Sequence, residues 1–253
     1  MTHPTDKKCL ELEKAQNIRH LGGYVTPDGQ CTSDTFWRGD SFEVLSENDK
    51  NTVMALGVKT VIDLRNTTEI TRVPSVFSDC DGIEYVNIPI LSDRDQIDPT
   101  ETLGYHFVMG DLYNAMADNG QTALRDIFRK MVQADGKLLF HCSAGKDRTG
   151  IIAALLLKLA GVDDETVAYD YCLTSEFLKD KLQLMKDGAM KTGGFPEEHL
   201  DEMFSAKTPS MEKFLQHIED TYGGAEAYLL KLGLTERELA ALRHRMLAGA
   251  CPA

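Results

Sequence analysis

Residues 137–159 read KLLFHCSAGKDRTGIIAALLLKL and contain three different patterns in direct succession. The first, Lys137–Phe140, is a short apolar run with the length and composition of a buried strand. The last, Thr149–Leu159, is apolar almost all round, which is typical of a helix inside a hydrophobic core. A loop that is rich in polar and small residues lies between them. The segment therefore predicts a strand, a loop and a buried helix in series.

The chain alternates strand-like and helix-like segments through its first two thirds. Val58–Leu64 and Ile83–Ile90 are apolar and partly β-branched, as strands are, and helical patterns lie between such runs. This alternation is typical of a parallel or mixed sheet covered by helices. After Val162 the pattern is mostly helical. We expect one α/β domain over residues 1–253, with a central parallel or mixed sheet flanked by helices and a mostly helical C-terminal third.

Three helix starts are predicted from capping residues. Ser46 and Thr235 each stand three residues before an acidic residue, Asp49 and Glu238. In this spacing the two side chains accept hydrogen bonds from each other's backbone amides, which begins a helix. Thr208, directly before a proline, is expected to be the N-cap of a third helix.

The segment from Thr174 to Lys207 has two interpretations. Its helical patterns are interrupted by Gly193, Gly194 and Pro196, which mark a hinge or a turn. The segment is either a helical lid inserted over an active site or a plain helical extension of the domain.

Charge and apolar runs exclude some partners and locations. With a net charge of -13, the average surface repels nucleic acids and anionic membranes, so any anion site has to be local. Met1–Lys14 lacks the apolar core of a secretory signal, and Ile151–Leu157 is far shorter than the roughly 20 residues that span a bilayer. We expect no transmembrane segment and a cytoplasmic protein, with export by another route left open. The sequence specifies no oligomeric state.

The cysteines are scattered and form no Cys-x-x-Cys pair, which disfavours a zinc cluster and a dense disulfide framework. We expect free thiols, with packing or surface roles for all but one of them. The cysteines are Cys9, Cys31, Cys80, Cys142, Cys172 and Cys251.

Residues 141–150 have the composition of a phosphate cradle. Cys142 and Arg148 bracket five residues, and such a loop can close round a tetrahedral anion. Phosphate needs donors from several directions, which consecutive backbone N–H groups at a helix N-terminus provide. Arg148 adds a planar fork that can hold two oxygens, and Lys146 adds a second cation. The predicted substrate-binding residues are Ser143, Ala144, Gly145, Lys146, Asp147 and Arg148.

The same loop is expected to activate Cys142. A cysteine at a helix N-terminus beside cations can have its pKa lowered to about 3.5 to 7.5, which makes it a thiolate at neutral pH. The thiolate can attack phosphorus and form a phosphocysteine, so that one difficult hydrolysis becomes two displacements. Arg148 and the loop amides would stabilise charge on the equatorial oxygens. Thr149 is expected to donate to the departing sulfur, and His141 to orient the loop from behind.

These residues resemble the signature loop of the protein tyrosine phosphatase superfamily, His-Cys-x-x-Gly-x-x-Arg followed by Thr or Ser and Gly. More narrowly, Gly145–Arg148 resembles the loop of bacterial tyrosine phosphatases with a Gly-Lys-Asp-Arg sequence. Two further segments are similar to motifs of that family: Asn17–Tyr24, in which His20 replaces the usual Asp, and Val61–Arg65 followed by Glu69. The resemblance spans nearly the whole chain.

The resemblance implies metal-independent hydrolysis of phosphomonoesters without a cofactor. Members of the family act on phosphotyrosine, and some act on phosphoserine, phosphothreonine or phosphoinositides. The expected partner is therefore a phosphorylated protein or a phosphoinositide. Lys146 either favours substrates with several phosphate groups or merely solvates the edge of the loop.

The general acid for the leaving oxygen is less clearly marked than the nucleophile. By resemblance to the family, Asp147 is the first candidate; alternatively it only orients Arg148 or the loop backbone. Asp63, Asp93 and Asp95 compete with it. Asp63 also fits a structural network with Arg65 and Glu69, and Arg19 and Arg38 are expected to pair with carboxylates in the core.

Two other functions compete with hydrolysis. A rhodanese-type sulfurtransferase also places a cysteine in a strand-to-helix loop, but Arg148 and Thr149 at the end of this loop favour phosphate. A phosphate-binding module without turnover is disfavoured because both Cys142 and Arg148 are present. A nucleotide-binding Walker A loop is excluded because Lys146 is followed by Asp147 rather than by Ser or Thr.

Overall fold

The computed structural model of the chain describes residues 9–41, 45–91, 108–192 and 197–251. The strands in these residues are β1 (Arg19–His20), β2 (Gln30–Thr32), β3 (Phe36–Gly39), β4 (Val58–Asp63), β5 (Glu84–Asn87), β6 (Lys137–His141) and β7 (Leu247–Ala250). The helices are α1 (Glu47–Ala55), α2 (Thr67–Arg72), α3 (Met109–Asn119), α4 (Gln121–Gln133), α5 (Asp147–Leu159), α6 (Asp164–Phe177), α7 (Lys179–Thr192), α8 (Glu197–Met203), α9 (Thr208–Tyr222), α10 (Ala225–Lys231) and α11 (Glu236–Met246).

A mixed sheet with the order β1-β3-β6-β4-β5 forms the centre of the fold. β3, β6, β4 and β5 run parallel to their neighbours, and β1 pairs with β3 in the antiparallel direction. The predicted α/β class, with a mixed sheet flanked by helices and a helical C-terminal third, is confirmed. Because β6 is the middle strand, the loop that follows it emerges at the centre of the carboxyl edge of the sheet.

Both faces of the sheet are buried, which explains the continuous apolar runs of its strands. Successive side chains of a strand point to opposite faces. Accordingly Leu138 and Phe140 of β6 belong to one hydrophobic cluster, whereas Leu139 belongs to another. Helix α5 packs into the larger cluster, and ten of its 13 residues are buried. The strand, loop and buried helix predicted for residues 137–159 are therefore confirmed.

Two of the three predicted helix caps are confirmed. Ser46 and Asp49 form a capping box at the start of α1, and Thr235 forms another with Glu238 at the start of α11. The prediction for Thr208 is wrong, because α9 begins one residue earlier and Lys207 is its N-cap without a side-chain hydrogen bond. The Thr208 hydroxyl instead lies 3.4 Å from the sulfur of Cys172.

The expectation of free thiols is wrong for two cysteines. Strands β2 and β7 pair in the antiparallel direction, and Cys31 forms a disulfide with Cys251 across 220 residues of sequence. Cysteine spacing alone could not predict this bond, because it depends on the return of the chain end to β2. The free cysteines in the described part of the chain are Cys9, Cys80, Cys142 and Cys172.

The predicted helical character of residues 174–207 is borne out by α7 and α8. The predicted hinge or turn at Gly193, Gly194 and Pro196 lies outside the described residues. None of the helices in the described ranges is both long and apolar enough to cross a membrane.

Candidate active site

The loop between β6 and α5 approaches the neighbouring strand β3 closely. At Gly145 the backbone has φ +67°, a left-handed conformation that favours glycine. A Cβ atom at this position would lie 2.4 Å from the carbonyl oxygen of Gly39. Gly145 is therefore required both by its backbone conformation and by the lack of space beside β3.

The backbone carbonyls of this loop are held by donors outside it. Four of them accept hydrogen bonds from neighbouring segments of the sheet edge or the N-terminal region. The bonds are Leu64 N to His141 O at 2.8 Å, Ser41 N to Ser143 O at 3.0 Å, Asn17 Nδ2 to Ala144 O at 3.0 Å and Arg38 Nη2 to Gly145 O at 2.8 Å. The loop is thus fixed from its outer side.

The backbone amides of the loop have no such partners. In the part of the chain that the structure describes, the amides from Ser143 to Arg148 donate to no protein acceptor, and no side chain caps α5. In a trans peptide the N–H group points opposite to the C=O group. The outward carbonyls of residues 143–145 therefore turn the amides of the following residues, 144–146, towards the inner side of the loop, where they can bind an anion.

Arg148 and Glu69 form an ion pair with two parallel hydrogen bonds. Arg148 Nη1 lies 2.6 Å from Glu69 Oε2, and Nη2 lies 2.8 Å from Oε1. The Ser143 hydroxyl also donates to Glu69 Oε1 at 2.5 Å. Burial alone would raise the pKa of Glu69, but the hydrogen bonds from Arg148 more than offset it and lower this pKa to about 2. Glu69 therefore holds the guanidinium beside the loop in a fixed orientation.

The pKa of Arg148 is raised for the same reason. Burial alone would lower it, but the hydrogen bonds to Glu69 and the charges of Cys142 and Glu69 outweigh burial. The guanidinium therefore stays charged and close to Cys142.

Cys142 lies at the bottom of the loop, with only 2% of its surface exposed. Thr149, in the first turn of α5, is completely buried, and its hydroxyl oxygen has no hydrogen-bond partner among the described residues. A buried hydroxyl without a partner is rare in proteins. It is therefore available to an acceptor that enters or forms in the loop.

His141 and Asp63 lie behind the loop. His141 Nδ1 is 3.3 Å from the carbonyl oxygen of Cys142, and Nε2 is 3.6 Å from Asp63 Oδ2. Asp63 is completely buried and accepts hydrogen bonds from Arg65 and Tyr85. Burial would raise the pKa of Asp63, but the neighbouring His141 and the hydrogen bonds from Arg65 lower it. Burial also lowers the pKa of His141, which favours its neutral ring, so the bonds from Arg65 are the firmer cause. An enclosed carboxylate of this kind is poorly placed to protonate a leaving group.

Asp147 lies at the opening of the site, with 27% of its side chain exposed. The Tyr113 hydroxyl donates to Asp147 Oδ1 at 2.6 Å, and it is also 2.6 Å from the hydroxyl of Tyr171. Tyr113 and Tyr171 are buried, so they fix one carboxyl oxygen from the core side. The competing candidates Asp93 and Asp95 lie outside the described residues.

The side chain of Lys146 is bound to the C-terminal part of the 174–207 segment. Its ammonium donates to the carbonyl oxygens of Met203 and Ser205, the latter at 3.1 Å, and only 2% of the residue is exposed. It also lies 3.4 Å from Asp147 Oδ1. The ammonium therefore joins the loop to the end of α8 rather than merely solvating a loop edge.

Two cavities flank Asp147. The larger has a volume of about 370 Å³, the smaller about 200 Å³. The larger is lined by Asn66, Glu69, Leu91, Leu112, Met116, Asp147 and Arg148. The smaller is lined mostly by apolar residues together with Ala144, Lys146 and Asp147. In the described part of the chain, no three His, Cys, Asp or Glu side chains are grouped so that they could hold a metal ion.

Several residues of the site were not identified from the sequence as parts of it. Asn17 and Arg38 donate hydrogen bonds to loop carbonyls. The motif-like segment Asn17–Tyr24 could have indicated the role of Asn17. Tyr113 gave no signal, because it becomes part of the site only through the packing of α3. Arg19, Arg38 and Arg65 pair with buried carboxylates as expected.

The comparisons with known proteins agree with this geometry. The profile of the tyrosine phosphatase family matches residues 10–248. A tyrosine-protein phosphatase of Nostoc commune is 31% identical over 221 residues, which cover 85% of this chain and 74% of that protein. The triple specificity protein phosphatase PtpB of Mycobacterium tuberculosis is 24% identical over 92% of this chain and 97% of its own length.

A solved structure, that of TpbA from P. aeruginosa, aligns with 96% of this chain and 99% of its own. The TM-score is 0.36 and the identity 15%, a likeness too distant to add to the argument. The match to the family profile spans nearly the whole chain and includes the complete loop from His141 to Gly150. The chain therefore belongs to the tyrosine phosphatase family and is a cysteine-dependent phosphatase.

Proposed function

We propose that Cys142 is the nucleophile in the metal-independent hydrolysis of phosphomonoesters. The observation that supports this most directly is the orientation of the loop. Its carbonyls are held from outside, its amides from Ser143 to Arg148 have no acceptor among the residues that the structure describes, and Cys142 and Arg148 stand at its two ends. Such a loop can bind a phosphoryl group and stabilise the sulfur anion with the same dipoles.

The reaction has two displacements. In the first, the Cys142 thiolate forms a bond to phosphorus while the bond to the leaving oxygen breaks, and Asp147 gives this oxygen a proton. In the second, water attacks phosphorus and Asp147 takes up its proton. The bond between sulfur and phosphorus breaks, and inorganic phosphate leaves.

The remaining residues of the site support these steps. Arg148 and the loop amides stabilise charge on the equatorial oxygens. The Thr149 hydroxyl, which has no partner among the described residues, donates to the sulfur as it departs. His141 and Asp63 fix the loop from behind and take no part in proton transfer.

We infer that the substrates are phosphorylated proteins, with phosphotyrosine first. Membership of the tyrosine phosphatase family supports this, and the name of the similar protein PtpB, a triple specificity phosphatase, supports activity on further phosphorylated residues. Phosphoinositides are the second substrate class. A panel of phosphotyrosine, phosphothreonine and phosphoinositide substrates tests both classes.

Residues 174–207 are proposed to be a helical lid on the single domain 1–253. Lys146 joins the loop to Met203 and Ser205 at the end of α8, and α7 exposes Leu184 to 72%. Hydrogen exchange of the α7 peptides with and without inorganic phosphate tests this. Unchanged exchange would favour a plain helical extension.

The disulfide bears on the location of the protein. Bonds such as that between Cys31 and Cys251 form and persist in oxidising compartments. It favours export, the location left open above, over the cytoplasm. Alkylation of the free thiols in intact cells, followed by mass spectrometry, tests this; free Cys31 and Cys251 would indicate a reducing compartment.

The test of the nucleophile compares two cysteine variants with p-nitrophenyl phosphate in the presence of a chelator. Cys142→Ser should abolish turnover and keep phosphate binding. Cys172→Ser, at a half-buried cysteine outside the loop, is the matched control and should keep turnover. Turnover by Cys142→Ser would refute the assignment, and transfer of sulfur from thiosulfate by the wild type would support the rhodanese alternative.

A further inference from the structure

A buried group of charged residues lies directly behind the loop, on the side opposite to its amides. Its members are Arg19 in β1, Arg38 in β3 and Asp170 in the middle of α6, each at most 1% exposed. Burial of three charges is costly, and apolar residues of similar volume often give equal or greater stability. Stability alone therefore does not account for this group.

Arg38 connects Asp170 with the loop. Its Nη1 atom lies 2.6 Å from Asp170 Oδ2, and its Nη2 atom donates to the carbonyl oxygen of Gly145 at 2.8 Å. One planar guanidinium thus spans the distance from α6 to the loop. Its orientation is fixed at both ends.

Arg19 connects Asp170 with the loop along a second route. Its Nε lies 3.3 Å from Asp170 Oδ1, and its Nη1 donates to the side-chain oxygen of Asn17 at 2.5 Å. The amide group of Asn17 in turn donates to the carbonyl oxygen of Ala144 at 3.0 Å. Both routes begin at the same carboxylate and end on adjacent carbonyls of the loop.

Asp170 is the shared anion of two guanidinium groups. Burial, and then the charge of Arg19, lower the pKa of Arg38 to about 10. The hydroxyl of Tyr24 also donates to Asp170 Oδ1 at 2.7 Å. Without Asp170, two like charges would face each other in the core, and neither arginine would keep its present position.

These contacts determine where two amides of the loop point. In a planar trans peptide the N–H group is opposite to the C=O group. Outward carbonyls at Ala144 and Gly145 therefore require inward N–H groups at Gly145 and Lys146. These are donors of the proposed phosphate cradle.

We propose that Asp170 is a positioning residue of the phosphatase reaction, which acts through Arg38 and Arg19 on the shape of the phosphate loop. The proposal rests on the proposed function of that loop. Asp170 does not touch the substrate; it keeps the amides of Gly145 and Lys146 directed at the phosphoryl group.

The test measures the inhibition constant of inorganic phosphate, together with kcat and KM for p-nitrophenyl phosphate. Asp170→Asn keeps the size of the side chain and removes its charge, and Arg38→Lys keeps the charge and removes the fork. Each should raise the inhibition constant of phosphate about tenfold, as expected for loss of a charge-assisted hydrogen bond, and lower kcat. The double variant should bind phosphate no worse than the weaker-binding single variant, because the route through Arg38 already begins at Asp170.

A milder variant covers the case in which Asp170→Asn does not fold. Tyr24→Phe removes only the hydroxyl that donates to Asp170 and should raise the inhibition constant in the same direction by a smaller factor. Tyr228→Phe is the matched control, since it removes a buried hydroxyl bonded at 2.7 Å to the carbonyl oxygen of Ala117, away from the loop. It should lower the melting temperature without changing the inhibition constant.

Folded variants of Asp170, Arg38 and Tyr24 with lower melting temperatures but an unchanged inhibition constant and kcat would overturn the proposal. So would independent, multiplicative effects in the double variant. Failure of the proposed function would look different, because the wild type itself would neither hydrolyse p-nitrophenyl phosphate nor bind phosphate.

Discussion

Replacement of Glu69 by Gln should destabilise the protein in a manner that depends on pH. The bonds from Arg148 lower the pKa of Glu69 from 4.5 to about 2. At 1.36 kcal/mol for each pH unit, this difference corresponds to at most about 3 kcal/mol of stability. Because 22% of the Glu69 side chain is exposed, solvent screening reduces the expected loss to about 2 kcal/mol at pH 7.

The direction of the pH dependence follows from the lowered pKa. The stabilisation is fully present above the ordinary pKa of 4.5 and is lost as the pH falls towards 2. The free energy of unfolding in urea, measured at pH 7, 5 and 3, should therefore differ between wild type and Glu69→Gln by an amount that shrinks below pH 5. Glu47→Gln is the control, because this side chain is 82% exposed in its pair with Lys50. A difference for Glu69→Gln that is absent at pH 7, or that is constant down to pH 3, would refute the reasoning.

Three further predictions concern single contacts. Gly145→Ala should cost about 2 kcal/mol in urea unfolding and nearly all turnover, because its Cβ would collide with Gly39 at a positive φ. Cys31→Ser should cost up to about 5 kcal/mol in the same measurement, since the disulfide closes a loop of 220 residues. Tyr113→Phe should lower kcat about tenfold with little change in KM, because Asp147 loses the hydroxyl that orients it.

Each of these three has an internal control. Gly188→Ala, at an exposed helical glycine with open space around it, should be neutral or stabilising. Cys31→Ser should be insensitive to dithiothreitol, whereas the reductant should bring wild type down to the stability of the variant. Tyr222→Phe, which removes a hydroxyl that donates to Asp118 and not to Asp147, should leave kcat unchanged. A fall in kcat for both tyrosine variants would contradict a specific role of Tyr113.

Features encoded in a few neighbouring residues were predictable from the sequence. The capping boxes at Ser46 and Thr235 depend on a spacing of three residues, and both occur as expected. The β6-loop-α5 unit depends on the change from a short apolar run to a long one. Both features could be predicted because their hydrogen bonds and their burial pattern depend on residues of one continuous segment.

Features made by distant segments were not predictable in this way. Asp170 reaches Arg38, and through it the loop, only because α6 packs against α5, and Tyr113 reaches Asp147 only because α3 packs beside α5. Until the fold brings these side chains together, nothing in the sequence distinguishes them from other residues of their helices. Glu69 was expected to belong to an ion-pair and cap network with Asp63 and Arg65. It does cap α2 together with Asn66, but its ion-pair partner is Arg148, 79 residues away.

The disulfide and the loop cysteine require opposite redox conditions within one molecule. Cys31 and Cys251 must lose electrons to join the chain end to β2, while Cys142 works only as a thiol or thiolate. A reductant that protects Cys142 during purification can also reduce the disulfide between Cys31 and Cys251. An oxidant that forms this disulfide can also oxidise Cys142. Because only 2% of Cys142 is exposed, a mild oxidant reaches it poorly, so one preparation without added reductant can keep the disulfide closed and Cys142 reduced.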